Sequence, residues 1–144
     1  MYTTGIQMEK RKDPVNEPEN SPAYLTSLKH LADIPELAFN STNQLITLSN
    51  LETQKYIEVN QAFLDTTGYR KEDIIGKTSD DIQLYVDLIQ SRKYMRLLSR
   101  LKKVTDLEIK LRMRSGEERT FLFSARTFFL GEEVFLITYY NDIS

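Results

Sequence analysis

The sequence predicts an α+β fold, in which a five-stranded antiparallel sheet carries short helices and one long helix on one face. Two short apolar segments, Gln44–Ser49 and Tyr56–Val59, are separated by a polar loop and have the length of strands in a hairpin. A helical spacing of apolar residues then runs from Asp87 to Lys103, and three segments from Leu107 onward have strand periodicity. Hairpin strands in two groups, with helices between the groups, are typical of the α+β class.

Composition limits the classes of function. The chain has 144 residues and 40% hydrophobic content, which suits one domain with its own core plus a tail. Its net charge of −2 gives no indication of a nucleic-acid or anionic-membrane partner. It contains no cysteine, which excludes disulfides, thiolate metal sites and thiol nucleophiles. No apolar run is long enough to span a bilayer, and the N-terminus lacks the apolar segment of a signal peptide. We therefore expect a cytoplasmic chain that contacts neither membrane nor nucleic acid.

The N-terminal part divides into a flexible segment and a helix. Residues 1–21 are rich in proline and polar residues and have no periodicity, so we expect them to be flexible. A flanking helix is predicted over residues 22–34, because Pro22 is tolerated in a first helical turn. This helix cannot bury its apolar face alone and must dock on the domain or on a second copy. That face consists of Leu25, Leu28, Leu31 and Ala32. The remaining residues, 35–144, are assigned to one domain.

Two short helices follow the second strand. Asn60 offers a side-chain oxygen to the free amides of a helix start, and the apolar residues after it form a short helical face. Gly68 stands where a left-handed residue ends a helix at low cost. Lys71–Ile75 is predicted to form a second single turn, which Gly76 ends. This connector would enclose one side of a pocket.

The long helix has an apolar face and a basic face. Asp87 is predicted to cap its N-terminus. The apolar face consists of Tyr94, Met95, Leu98 and Leu101. The opposite face carries Arg92, Lys93, Arg96, Arg100 and Lys103. We interpret the basic face as solvated, although it is also suited to an anion or an acidic partner.

The last two strands are apolar on both faces. In Arg119–Leu130 and in Val134–Asn141, large apolar side chains occupy both odd and even positions. A sheet of this kind needs cover on both sides. The helices of the domain cover one side, and the flanking helix, a second protomer, or both must cover the other. We predict a homodimer formed through Leu25, Leu28, Leu31, Phe128, Phe135 and Tyr139.

The connector resembles a known family. The matching residues are Asn60, Ala62-Phe63, Thr67-Gly68-Tyr69, Glu72 and Ile75-Gly76-Lys77. This pattern is similar to the sensory-box pattern of PAS domains, whose fold has the element order predicted above. The final Asp142, Ile143 and Ser144 are similar to the Asp-Ile-Thr signature at which PAS domains hand a signal to a downstream helix. The resemblance implies the input module of a bacterial signalling protein, with a sensor histidine kinase as the favoured parent. We expect the chain to be cut from an output domain or to be a small separate module.

The resemblance also bears on cofactors. PAS domains that form a covalent flavin adduct need a reactive cysteine in the loop that corresponds to Lys77–Asp81, and this sequence has none. Haem-binding members usually need an axial histidine on the long helix, whereas the single histidine, His30, lies on the flanking helix. Non-covalent flavin, a small metabolite and a self-packed core without ligand all remain open. The cofactor is therefore left unknown, and no metal site is predicted.

Candidate pocket residues follow from the predicted facing of the strands and helices. They are Leu48, Phe63, Ile75, Tyr94, Met95, Leu98, Ile109, Leu111, Phe123 and Ile137. A ligand also needs converging polar groups, for which the pattern offers Thr47, Tyr94, Ser124 and Thr138. The alternative for each apolar residue is an ordinary core position.

No catalytic constellation is apparent in the sequence. The paired acids fall in turns or helix starts, no Ser/His/Asp set is apparent around the single histidine, and no glycine-rich phosphate loop is present. We therefore expect this chain not to be an enzyme. The first hypothesis is a sensory and dimerisation PAS module, whose partners are a second copy and the output domain of the parent protein. The alternative is a ligand-free protein–protein interaction PAS domain of a transcription regulator or a cyclic-dinucleotide signalling protein.

Overall fold

Five strands and four helices form within residues 21–32 and 38–144, which the computed structural model describes except for the side chain of Leu31. The helices are α1 (Pro22–Leu31), α2 (Gln61–Thr67), α3 (Lys71–Ile74) and α4 (Leu88–Leu101). The strands are β1 (Leu45–Asn50), β2 (Tyr56–Val59), β3 (Lys103–Arg112), β4 (Glu118–Leu130) and β5 (Glu133–Asp142). Residues 1–20 of the predicted flexible segment, and the predicted end of the flanking helix at residue 34, lie outside the described residues.

The five strands form one antiparallel sheet in the order β2-β1-β5-β4-β3. The predicted hairpin of β1 and β2 and the predicted run of β3, β4 and β5 are both present. Pairing of β1 with β5 joins these two groups and places Thr47 opposite Thr138. The first and last strands of the chain therefore lie side by side in the middle of the sheet. The predicted α+β class and five-stranded antiparallel sheet are confirmed.

The sheet is buried on both faces. The inner face packs against α2, α3 and α4, and its core includes Phe63, Leu98 and Phe121. The outer face packs against α1, and its core includes Leu28 and Phe135. The inner face of β4 and β5 is therefore covered by α2, α3 and α4, and the outer face by α1. Apolar residues on both faces of these strands required such a cover on each side. In the described part of the chain, no helix is long and apolar enough to cross a membrane.

Helix α1 is capped at its start and is attached to the sheet by its C-terminal end and by a charged contact. The side chain of Ser21 accepts a hydrogen bond from the Tyr24 amide at 3.1 Å, which caps the helix start. At the other end, the guanidinium of Arg126 donates to the carbonyl oxygen of Ala32. The Lys29 ammonium lies 3.9 Å from the carboxylate of Glu58 on β2, and both side chains are buried. This helix is thus attached to three strands of the domain, since Phe135 beneath it belongs to β5.

The connector between β2 and α3 has the local geometry that the sequence predicts. The Asn60 side chain accepts a hydrogen bond from the Phe63 amide at 3.0 Å and caps α2. Gly68 ends α2 with φ of 82°, a conformation that is costly for other residues. Asp87 caps α4 by accepting from the Gln90 amide at 3.0 Å. These caps fix where each helix begins and ends.

The residues predicted for a dimer interface pack inside this chain. Leu28, Phe128 and Phe135 are buried in the outer core, and Leu25 and Tyr139 pack partly buried against it. The side chain of Leu31 lies outside the described residues. In this arrangement α1 covers the outer face, which is one of the covers that the sequence allows, and the homodimer stays a prediction. The predicted apolar face of α4 also needs a correction, because Leu101 is 56% exposed at the helix end, where the chain turns from α4 into β3.

Candidate functional site

A cavity of about 290 Å³ lies between the inner face of the sheet and the first half of α4. Strands β1 and β5 form its floor, and Tyr56 on β2 forms one side. The segment that precedes α4 contributes Tyr85, and α4 contributes Met95. Five separate parts of the chain therefore converge on one partly open cavity. Such a concave site at the meeting of several elements is the usual place for a small ligand.

Two hydroxyl groups face this cavity from its floor. Thr47 and Thr138 are cross-strand partners on β1 and β5 and are 1% and 2% exposed. Within the described part of the chain, neither side chain makes a hydrogen bond to another residue. A buried hydroxyl without a partner costs about 1–3 kcal/mol, so these groups are placed to bond to a molecule in the cavity. Ser49, two residues along β1, adds a third buried hydroxyl to the same floor.

Three tyrosines form the deep wall of the cavity. The hydroxyl oxygens of Tyr85 and Tyr140 lie 2.5 Å apart and share a hydrogen bond. Removal from water raises the pKa of Tyr85 to about 12. Burial, followed by the repulsion of a second phenolate at Tyr85, raises the pKa of Tyr56 and of Tyr140 well above 10.0. All three therefore stay protonated at neutral pH and act as neutral hydrogen-bonding groups.

Charged groups lie at the edge of the cavity. Arg92 on α4 donates to the carboxylate of Asp80 at 3.0 Å, so these two charges neutralise each other. Arg96, one helical turn further along α4, also lines the cavity and is exposed. It has no ion-pair partner among residues 21–32 and 38–144. The edge of the cavity therefore carries one unbalanced positive charge.

Some predicted pocket residues do lie at this cavity. Met95, Thr47 and Thr138 line it directly. Tyr94 lies next to it, where its ring stacks on Phe123 at 5.6 Å between ring centres and its hydroxyl donates to the Glu108 carbonyl oxygen at 2.6 Å. The other inner-face predictions pack together in the inner core that supports the cavity. They are Phe63, Leu98, Ile109, Leu111 and Phe123.

Four predicted pocket residues lie elsewhere. Leu48 and Ile137 point to the outer face and pack under α1, because they alternate with Thr47 and Thr138 along the same strands. Ser124 accepts a hydrogen bond from the Asp106 amide at 2.9 Å, away from the cavity. Ile75 lines a separate surface cleft beside Leu25. The facing assigned to Leu48 and Ile137 was wrong: on β1 the inner face carries Thr47 and Ser49, and on β5 apolar side chains occupy both faces.

Several cavity residues were not identified from the sequence. Tyr56, Tyr85 and Tyr140 come from three distant segments, and no pattern along the chain indicates that their hydroxyls meet. Arg92 and Arg96 were interpreted as part of a solvated face. Their position in the sequence could have identified them, because Arg92 and Arg96 lie on either side of Met95, which was predicted to line the pocket.

The predicted hand-over residues are held against the start of β4. Asp142 accepts a hydrogen bond from the guanidinium of Arg119. The Ser144 hydroxyl accepts from the Thr120 amide at 2.8 Å and donates to the Thr120 carbonyl oxygen at 3.2 Å. The Ile143 side chain is 48% exposed. The chain thus leaves the sheet at a defined position. Among the described residues, no group of three or more His, Cys, Asp or Glu side chains is placed to hold a metal ion.

A family model described as the PAS domain matches residues 43–144. The match covers every strand of the sheet and the connector with α2 and α3. The chain belongs to the PAS family. PAS domains are sensory domains of signalling proteins, so the predicted family and the broad sensory role are confirmed.

Solved PAS domains have the same fold at low sequence identity. The PAS domain of an HTR-like protein from Haloarcula marismortui is 18% identical, with a TM-score of 0.63 over 85% of this chain and 100% of that one. A PAS domain from a two-component sensor histidine kinase is 15% identical, with a TM-score of 0.62 over 85% of this chain and 99% of that one. The PAS domain of the fruit-fly ELK potassium channel is 18% identical, with a TM-score of 0.63 over 86% and 98%. A search of curated proteins finds no match. These likenesses establish the fold, and the parents of the three domains differ.

Proposed function

We propose that this PAS domain is the ligand-binding input module of a bacterial, cytoplasmic sensor histidine kinase, and that it works as a homodimer. The observation that carries the sensory part is the pair of buried hydroxyls of Thr47 and Thr138, which face a cavity and lack partners in the described chain. A packed core without a ligand would place apolar side chains at such positions, because buried polar groups need hydrogen bonds. A small molecule in the cavity supplies those bonds.

The sheet offers a route from the cavity to the parts that contact an output domain. Thr138 faces the cavity, while Ile137 beside it packs under α1 on the opposite face of β5. A ligand that shifts β5 therefore changes the packing of α1. The same strand ends at Asp142, which is bonded to β4 through Arg119. Both ends of the domain thus respond to one central strand.

The histidine kinase parent is supported by the structural similarity to a PAS domain from a two-component sensor histidine kinase. The similarity is one of fold, and a potassium channel contains a PAS domain of equal similarity. The sensory role of the cavity does not depend on which parent is correct. The dimer would form through α1, whose exposed side lies away from the outer core and includes Thr26.

The test is native mass spectrometry and a UV–visible spectrum of the whole purified chain. We expect a dimer mass with a bound small molecule, which is lost when Thr47 and Thr138 are both replaced by valine. Thr105→Val is the matched control, since Thr105 is an exposed threonine of β3, and it should retain the molecule. A bare mass that no small molecule alters would contradict the sensory proposal, and a monomer at high micromolar concentration would contradict the dimer.

A second candidate is a ligand-free interaction module. Ile89 on α4 is 82% exposed and Phe129 near the end of β4 is 65% exposed, which favours contact with another protein. In that case the valine variants would be more stable than the wild type, because two unsatisfied hydroxyls are removed from a cavity that never binds a ligand. Urea unfolding of the same variants distinguishes the two candidates.

A further inference from the structure

We propose that the cavity binds a small monocarboxylic acid, with the carboxylate at Arg96 and a neutral hydrogen-bonding group at Thr47 and Thr138. This inference rests on the proposed sensory function and names the class of ligand for the same site. Three properties of the cavity support it: the charge at its edge, the chemistry of its interior and its volume.

The charge at the edge selects an anion. The charged residues that line the cavity are Asp80, Arg92 and Arg96. Asp80 is already bonded to Arg92 at 3.0 Å, and Arg92 also donates to the Leu88 carbonyl oxygen at 3.5 Å. Arg96 is left with a guanidinium that has no acidic partner in the described part of the chain. A guanidinium presents paired donors that match the two oxygens of a carboxylate. One unbalanced positive charge fits one negative charge.

The interior selects a neutral polar group. Its polar atoms include the hydroxyls of Thr47, Ser49, Thr138 and the three tyrosines, and none of these carries a charge at neutral pH. The hydroxyls of Tyr85 and Tyr140 bond to each other and the Tyr56 hydroxyl interacts with both, so the hydroxyls left to bond to a ligand include those of Thr47 and Thr138. A second charge buried at this depth would have no counter-ion, and burying it would be costly. The buried end of the ligand is therefore a hydroxyl, carbonyl or amide.

The volume limits the size of the ligand. The cavity of about 290 Å³ lies at the lower end of the range for small-molecule sites, which begins at about 300 Å³. Met95 and Leu136 contribute apolar surface between the floor and the edge. A single ring or short branched chain with an acid at one end and a polar group at the other matches this space.

The experiment measures binding of matched acids and amides to the whole chain by calorimetry and thermal shift. The probes are 4-hydroxyphenylacetate and 4-hydroxyphenylacetamide, 4-hydroxybenzoate and 4-hydroxybenzamide, and phenylacetate, which lacks the hydroxyl. We expect at least one acid to bind, and its amide to bind more weakly by roughly three- to tenfold, because only the acid forms an ion pair with Arg96.

Two variants separate a local contact from a general charge effect. Arg96→Gln should remove the preference for the acid over the amide. Lys93→Gln makes the same change of charge at an exposed residue of α4 that does not line the cavity, and it should keep that preference. The double valine variant of Thr47 and Thr138 should reduce the preference for 4-hydroxyphenylacetate over phenylacetate.

Each contrary result has a distinct meaning. Equal binding of acid and amide, equal effects of the two α4 variants, or no binding of any acid at millimolar concentration would overturn the ligand class. If a neutral molecule is then found in the purified chain, the sensory function stands and this inference fails. If no small molecule is found and none binds, both fail.

Discussion

At the scale of a single residue, the side chain of Asn60 connects the end of β2 to α2 and to β1. Its oxygen accepts hydrogen bonds from the Phe63 amide in α2 and from the Ile46 amide in β1, each at 3.0 Å. Its nitrogen donates to the Gln44 carbonyl oxygen at 2.8 Å. The side chain therefore continues the pairing of β1 and β2 beyond the point where the backbone turns into α2. Asn60 is fully buried, so losing these hydrogen bonds would lower the free energy of unfolding more than it would at the surface.

Replacing Asn60 by alanine should destabilise the protein by about 2–4 kcal/mol, since a helix cap and two further buried bonds are lost. Asn40→Ala is the control, because exposed Asn40 accepts a single bond, from the Gln61 amide at 2.8 Å. The control should cost less than about 1 kcal/mol. Unfolding in urea measures both. If both variants lowered the free energy of unfolding by similar amounts, Asn60 would act only as a helix cap.

The sequence predicted part of what these residues do. The cap at Asn60 is a local feature, so it could be predicted from the residues that follow it. The bonds to Ile46 and Gln44 depend on the path of β1, which no short pattern specifies. Thr47 and Thr138 were predicted as polar groups of a pocket and do line the cavity, but their position opposite each other follows only from the pairing of β1 with β5.

At the level of elements, the starts capped by side chains were predictable, whereas the end of α4 and the faces of strands were not. The long helix was predicted to run to Lys103, but α4 ends at Leu101 and β3 begins at Lys103. β2 was predicted and found over Tyr56–Val59, and α4 begins at Leu88 directly after its predicted cap. A helix cap and the alternation of apolar residues in a strand each depend on only a few neighbouring residues. On β5, however, apolar side chains point both ways, so the pattern alone could not indicate that Ile137 lies under α1. The inner and outer faces are distinguished only by the helices that pack on them.

Helix α1 depends on Leu28 for its attachment to the sheet. Leu28 is fully buried in the outer core, whereas Thr26 on the same helix is exposed. Leu28→Ala should therefore lower the free energy of unfolding by about 2–5 kcal/mol, and Thr26→Ala should change it by less than about 0.5 kcal/mol. Hydrogen exchange should accelerate in α1 of the Leu28 variant and remain slow in β4. If exchange in α1 were unchanged, its end contacts, such as that of Arg126 with Ala32, would be sufficient to hold it.

At the level of the whole molecule, one sheet separates two chemically different layers. The inner layer contains a cavity with hydroxyl groups and a charged edge, and the outer layer is an apolar contact with α1. Strand β5 belongs to both layers, because its alternate residues face each of them. A fold of this kind can bind a polar molecule on one side and alter an apolar contact on the other. The buried tyrosines make the state of the inner layer measurable.

The stability of the whole chain should fall as the pH rises from 10 to about 12. Tyr85 keeps its proton in the folded protein up to about pH 12, whereas an unfolded tyrosine loses it near 10.0. The unfolded state therefore binds fewer protons in this window, and the free energy of unfolding decreases with rising pH. In Tyr85→Phe this contribution is absent, and so is the repulsion by which the Tyr85 phenolate raises the pKa of Tyr56 and Tyr140, while the burial of those two tyrosines and the titration of lysines remain. The difference in unfolding free energy between wild type and variant, measured in urea at several pH values from 9 upward, should decrease through the window. A constant difference would mean that the Tyr85 hydroxyl ionises normally in the folded protein, and would place it in water instead of against Tyr140.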